Sequence, residues 1–269
     1  MTNKIKLNPE QSLIYEWNHS FEFIYTGKTV RLSENTKKII TDNWNILINK
    51  NANLFNGTVI SLNKITQCGK KIKLEFAKTD YAHFITSEMG LLPKCLYPRI
   101  LYVSSLIETT DNFIAFEKTG QLSFDPGRFQ FIGGGLDENY ITEKSIDYSA
   151  CMKDEIEEEL GIHFNPDIHY LMPIFVSAGK TKEKISIVFL FKPKMTTVEL
   201  SNQLSKHNKS LIEKGQTPEV DSFVFTNKDK YIDFFNIPEN NKTGENLVSS
   251  LNAFFTGCTE KDFFSEYKI

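Results

Sequence analysis

Three glutamates near the middle of the chain, Glu155, Glu158 and Glu159, are spaced i, i+3, i+4. Each residue of an α-helix advances by about 100°, so this spacing puts the three carboxylates on one face. Tyr148, Met152, Ile156 and Leu160 make an adjoining apolar stripe, while Glu157 points elsewhere. One side of such a helix packs on a core and the next presents three acids to a common point. Like charges held that close repel one another, and a hard divalent cation with oxygen ligands, Mg²⁺ above all, relieves the repulsion. An acidic run is more often a plain solvated face. Here the acids sit at a helix C-terminus, where they oppose the macrodipole, so a purely stabilising role is disfavoured. A strand-like run, Phe129-Gln130-Phe131-Ile132, also leads into Gly133-Gly134-Gly135 ahead of the helix. The helix is expected from about Ser145 to Leu160, stopped by Gly161 in the C′ position.

Glu155-Ile156-Glu157-Glu158-Glu159-Leu160-Gly161-Ile162 resembles the second half of the Nudix box, matching it at every specified position. The first half departs from that pattern. Asp154 stands where the family has arginine, and strict counting puts Tyr140 at the box glycine and Ile146 at the first glutamate. With Gly135 as the box glycine, the loop carries a short insertion, and Glu143 or Asp147 is left to replace the missing glutamate. The family arginine orients the catalytic carboxylates, so its absence bears on rate more than on metal binding. Outside the box, Leu54-Phe55-Asn56-Gly57-Thr58, Thr79-Asp80-Tyr81 and Val103-Ser104-Ser105-Leu106-Ile107-Glu108-Thr109-Thr110-Asp111 resemble the Nudix branch that hydrolyses UDP-glucose and UDP-galactose.

The resemblance implies an α/β fold, the Nudix α/β/α sandwich with a mixed sheet, over residues 96–269; Pro93 and Pro98 punctuate a boundary near residue 95, and residues 1–95 read as a small α+β domain. It implies an Mg²⁺-dependent pyrophosphohydrolase (Mn²⁺ being the other candidate ion) acting on a nucleoside diphosphate-sugar. The metal ligands would be Glu155, Glu158 and Glu159. The catalytic set would be Glu159, Glu155 and Glu219, with the base left open between Glu159 and Glu219. Gly133, Gly134 and Gly135 would let the phosphates approach the backbone, and Lys182, or its neighbours Lys180 and Lys184, would contact phosphate. Two other readings stand beside this one: hydrolysis of ADP-ribose or another nucleotide conjugate, and a nucleotide-binding regulator without catalysis, which Asp154 in place of arginine motivates.

The elements that must position these residues follow from the pattern of the chain. Its 269 residues exceed one typical domain, and 40% hydrophobic with 24% charged residues is ordinary for a globular protein with a large core. A net charge of −3 gives no bulk reason for nucleic-acid or anionic-membrane binding. The N-terminus has no signal-like apolar stretch, and Cys68, Cys95, Cys151 and Cys258 show no metal-site or paired spacing. A reduced, cytoplasmic protein is therefore expected, with a homodimer as an open assembly.

Strands are expected over 58–62, 72–77, 100–108, 113–118, 168–176, 185–191 and 219–225, and 13–17 and 21–25 read as short strands or a strand and turn. Ile185-Ser186-Ile187-Val188-Phe189-Leu190-Phe191 is continuous enough to be buried on both faces. Helices are expected over 32–49 with Ser33 as N-cap, from Thr79 or Asp80, and over 246–255, while 198–214, rich in Lys and Asn, reads as a helix or an ordered insertion. Glu117 and Lys118, on the return strand of a hairpin, either face the site or form a solvated edge. The tryptophans and histidines of the first ninety residues read as core or boundary positions rather than ligands.

Overall fold

The computed structural model describes residues 13–17, 21–52, 54–68, 71–120, 126–178, 184–237, 240, 242–244, 246–257 and 259. It is a mixed α/β protein in which helices cover both faces of one large mixed sheet, the layering expected of a Nudix sandwich. At the centre, β5 (Ile100–Glu108) runs parallel to β11 (Lys184–Lys192), with Ser104 opposite Val188. β10 (Tyr170–Ala178) is antiparallel to β11, and β1 (Leu13–Glu16) adds to the outer edge of β10.

Alternation along these strands divides the core in two. Leu101, Val103, Ile107, Ile185, Ile187, Phe189 and Phe191 share one cluster with Met152, Ile156 and Leu160 of α3 (Tyr148–Leu160) and Leu200 and Leu204 of α4 (Thr197–Glu213). Leu106, Val188 and Leu190 face the other way, against Tyr231 and Phe235 of α5 (Tyr231–Asn236) and Leu247 and Leu251 of α6 (Leu247–Thr256). That two-sided burial is why the 185–191 run carries no polar alternation.

Beyond β5 the sheet continues through β3 (Thr58–Cys68), β4 (Lys71–Asp80) and β2 (Phe21–Thr29). The β3–β4 hairpin is antiparallel as its two alternating runs suggest, and β2 lies parallel to β4. α1 (Glu34–Lys50) begins at Ser33, whose hydroxyl accepts from the Thr36 amide. α2 (Tyr81–Glu88) begins at Asp80, whose carboxylate accepts from the His83 amide at 2.8 Å. His83 is buried, with its ring nitrogens on Thr79 and the Leu96 carbonyl, a core histidine as expected. Its value is held below the usual range by burial.

A branch of the sheet, β6 (Ile114–Thr119), pairs with β5, with β12 (Val220–Thr226) and with the short β7 (Phe129–Gln130). One sequence expectation changes. Ser145 is not helical: β8 (Ile141–Thr142) and β9 (Ser145–Ile146) form a small hairpin, and β9 pairs with β2 through Ile24. Asp147 then caps α3 by accepting from the Ala150 amide at 2.9 Å, so the helix starts at Tyr148. Helix α5 had no expectation. Among the described residues no helix is long and apolar enough to cross a membrane.

Candidate active site

α3 ends at Gly161, which takes the left-handed conformation with φ +63. A Cβ there would also lie 2.8 Å from His207 Cγ, so both backbone and space call for glycine. The preceding turn sorts the acids as the spacing predicts. Glu159 is buried at 9% exposure, Glu155 is half-buried, and Glu158 lies at the exposed edge of the same face. Glu157 points away and pairs with His163 at 2.8 Å.

A fourth carboxylate joins them from the sheet. Glu117 of β6 is 2% exposed, and its oxygen accepts from the Gln130 amide at 2.5 Å across the β6–β7 pair. Burial drives Glu117 up to about 8, and Glu219 and Glu155 add repulsion; Gln130 opposes the rise, and Arg128 opposes it least among these neighbours. Glu155 is pushed up to about 7, by burial first and then by Glu158 and Glu219. Burial, Glu117 and Glu155 hold Glu159 well above the carboxylate range, against a hydrogen bond from the Gly133 backbone. Glu158 is raised by burial and by Asp154 and Glu219. Glu219, exposed at the start of β12, thus acts on all four. It is anchored there because its carbonyl accepts from the Gly120 amide at 2.9 Å.

The glycine run serves packing first. At Gly133, φ is +145 and a Cβ would collide with the Val103 carbonyl and lie 2.8 Å from Ser104 Cα. At Gly134 a Cβ would occupy the place of the Glu155 carboxylate. Gly135 has open space around it and bridges Tyr102 of β5. All three line a cavity described below.

The two residues offered as replacements for the missing box glutamate do other work. Asp147 is the cap of α3, and Glu143 sits in a turn with φ +52. Glu117, far away in sequence, is the acid that enters the cluster; its alternation in β6 was visible, but not which face would be buried. Asp154, at the arginine position, is exposed and accepts from the Tyr140 hydroxyl at 3.0 Å. It brings a negative charge where the resemblance calls for a positive one. Lys180 and Lys182 lie outside the described residues, whereas Lys184 opens β11 and pairs with Glu88 at 3.0 Å.

Among the described residues no three acidic, histidine or cysteine side chains converge closely enough to ligate one ion. The donor set nevertheless suits a hard cation. Glu159 Oε2 is buried with no hydrogen-bond partner, and it belongs to a group of carboxylates that burial and mutual repulsion destabilise as anions. Such a group holds either protons or a cation.

No protein-family model matches the chain, and no curated protein matches it. Solved structures of Nudix type resemble it loosely. The MutT protein of Methanosarcina mazei Go1 is 13% identical over 57% of this chain and 91% of its own, with a TM-score of 0.33. The Nudix hydrolase RenU of M. Smegmatis is 7% identical over 60% of this chain and 88% of its own, at 0.32. A bifunctional NMN adenylyltransferase/ADP ribose pyrophosphatase of Francisella tularensis is 13% identical over 53% of this chain and 37% of its own, at 0.30. Likeness of this degree carries no functional argument, which has to come from the side chains.

Proposed function

We propose that the protein is a metal-dependent pyrophosphohydrolase of nucleoside diphosphate derivatives, and that its substrate is a UDP-sugar. The observation that carries the reaction class is the buried carboxylate group with its orphaned Glu159 oxygen, built on a helix whose last turn resembles the Nudix box. Glu155, Glu158 and Glu159 are the residues that would hold Mg²⁺ or Mn²⁺. When bound, the ion would neutralise pyrophosphate oxygens and raise the acidity of water.

The protein's own groups supply the rest. Glu219 is exposed and close to every member of the cluster, so it has the solvent access that a general base for water needs. Glu159, buried at 9% exposure, suits holding the ion better than taking a proton from water. The Gly133 backbone favours the charged form of Glu159, against the burial and repulsion that oppose it. Glu117 repels Glu159 electrostatically and is held by a hydrogen bond from Gln130. Water oxygen adds to one phosphorus while the bridging P–O bond breaks; from a UDP-sugar the products are UMP and a sugar 1-phosphate.

The UDP-sugar assignment is supported by the three sequence stretches that resemble that branch. It is tested by incubating the protein with Mg²⁺ and UDP-glucose, UDP-galactose, ADP-ribose, NADH or CoA, with products separated by chromatography. UMP from the UDP-sugars alone is the expected result. Cleavage of ADP-ribose instead would keep the mechanism and reject the substrate. Nucleotide binding with no turnover of any compound would reject the enzyme and favour a regulator, the reading that Asp154 at the arginine position motivates.

A further inference from the structure

The glycine segment that packs against Glu155 also lines a cavity of about 330 Å³. Its lining is chemically mixed: Phe84, Tyr102 and Phe131 give aromatic surface, Arg128 and Lys184 give positive charge, and Gln130 gives an amide. Two of these residues tie the cavity to the carboxylates. Gln130 donates to Glu117, and the charge of Arg128 reaches the same side chain. The cavity therefore adjoins the carboxylate cluster along Arg128 and Gln130.

The opposite wall comes from the first ninety residues. Phe84 belongs to α2, and the Lys184 ammonium lies 5.9 Å from the centre of its ring. The same ammonium is 3.0 Å from Glu88 Oε2, and both side chains are largely shielded from solvent, at 18% and 28% exposure. This pair ties the last turn of α2 to the start of β11, at the side of the cavity. The volume is in the range of small-molecule sites, and flat aromatic surfaces with a cation beside them suit a planar ring bearing an anionic ester.

We propose that this cavity is a nucleobase subsite, walled by Phe84 and Tyr102 and leading past Arg128 and Gln130 to the carboxylates, so that α2 of the N-terminal part is a specificity element. The inference rests on the pyrophosphohydrolase reading for its orientation, with the phosphates toward Glu155 and the base toward α2. A ring on Phe84 gains stacking that an aliphatic side chain of similar bulk does not provide.

The test compares wild type, Phe84→Leu and Phe84→Tyr. Calorimetry in EDTA measures binding of UMP, AMP and ribose 5-phosphate, and steady-state kinetics with Mg²⁺ measures KM and kcat on the hydrolysed substrate. Phe84→Leu is expected to weaken UMP or AMP binding by about tenfold or more, to leave ribose 5-phosphate binding unchanged and to raise KM more than it lowers kcat. Phe84→Tyr is expected to restore the wild-type values. Equal nucleotide affinity in wild type and Phe84→Leu would overturn the proposal, as would ribose 5-phosphate binding as tightly as UMP and AMP. The two readings fail separately. Ring-dependent nucleotide binding without any hydrolysis sinks the enzyme and keeps the subsite, and hydrolysis with a KM indifferent to Phe84→Leu does the reverse.

Discussion

Glu157 and Glu159 stand two residues apart on the same helix and live under opposite conditions. Glu157 is exposed, and His163 meets it at 2.8 Å in water. Glu159 is buried against Glu117 and Glu155, with one oxygen unpartnered. In water an exposed pair gains little and costs little. In the interior, an unneutralised carboxylate is expensive, and three of them compound the cost. The same residue type is thus a surface detail at one position and a demand for a cation or proton at the other.

The largest effect that would sharpen this contrast is on turnover. Glu158→Gln and Glu159→Gln should each lower kcat/KM by on the order of 10³-fold, since a metal's charge stabilisation is worth several kcal/mol. Glu219→Gln should lower kcat by roughly 10²–10⁴-fold if it acts as base, with Mg²⁺ affinity retained. Glu157→Gln should leave the rate near wild type. Equal losses in Glu157→Gln and Glu159→Gln would erase the distinction between the two faces.

Packing around the cluster gives the next effect. Gly133→Ala forces a side chain onto φ +145 and against the backbone of Val103 and Ser104, and should destabilise the fold by about 1–3 kcal/mol. Denaturant unfolding reads this directly. Gly135→Ala is the control, with open space around its Cβ position, and should change stability far less.

Stability against pH separates the faces without any mutation. Glu155 and Glu117 have ordinary values of 4.5 and folded values of about 7 and about 8. Below pH 4.5 both folded and unfolded states hold these protons, so the site carries no penalty. Between about pH 4.5 and 8 the unfolded chain gives up protons that the fold retains, so stability falls as pH rises. Metal-free protein should therefore melt on the order of 5–10 °C lower at pH 8 than at pH 5.5. Mg²⁺ at pH 8 should recover part of the loss, and Glu159→Gln should remove part of it in EDTA. A flat melting profile in EDTA would show that the acids bear no such strain. The smallest change is expected from Glu157→Gln, within about 0.5 kcal/mol at any pH.

Much of the architecture is legible in the sequence. Ser33 and Asp80 announced helix starts because a short polar side chain satisfies the free amides of a first turn. The unbroken 185–191 run announced a strand covered on both faces, and Leu160-Gly161 announced the end of α3. Local signals failed between 136 and 147. There Ser145 looked like the start of a helix, but it pairs with Ile24 more than a hundred residues earlier. Long-range pairing of that kind leaves no trace in local periodicity.

The candidate site divides in the same way. The i, i+3, i+4 spacing by itself determined that Glu155, Glu158 and Glu159 share a face and that Glu157 does not, because helical geometry is fixed by the backbone. The sequence also determined that Gly161 could end the helix in a left-handed turn. Only the tertiary structure decided that Glu117 from β6 would join the cluster as a fourth carboxylate and lie buried, that the charge of Glu219 would act on all of them, and that Asp147 would be a cap. It also decided that Gly134 makes room for Glu155, and that Phe84 and Lys184 meet at the side of one cavity. Those relations are set by strand register and by which face of the sheet each helix covers, quantities that depend on contacts between segments remote in the chain.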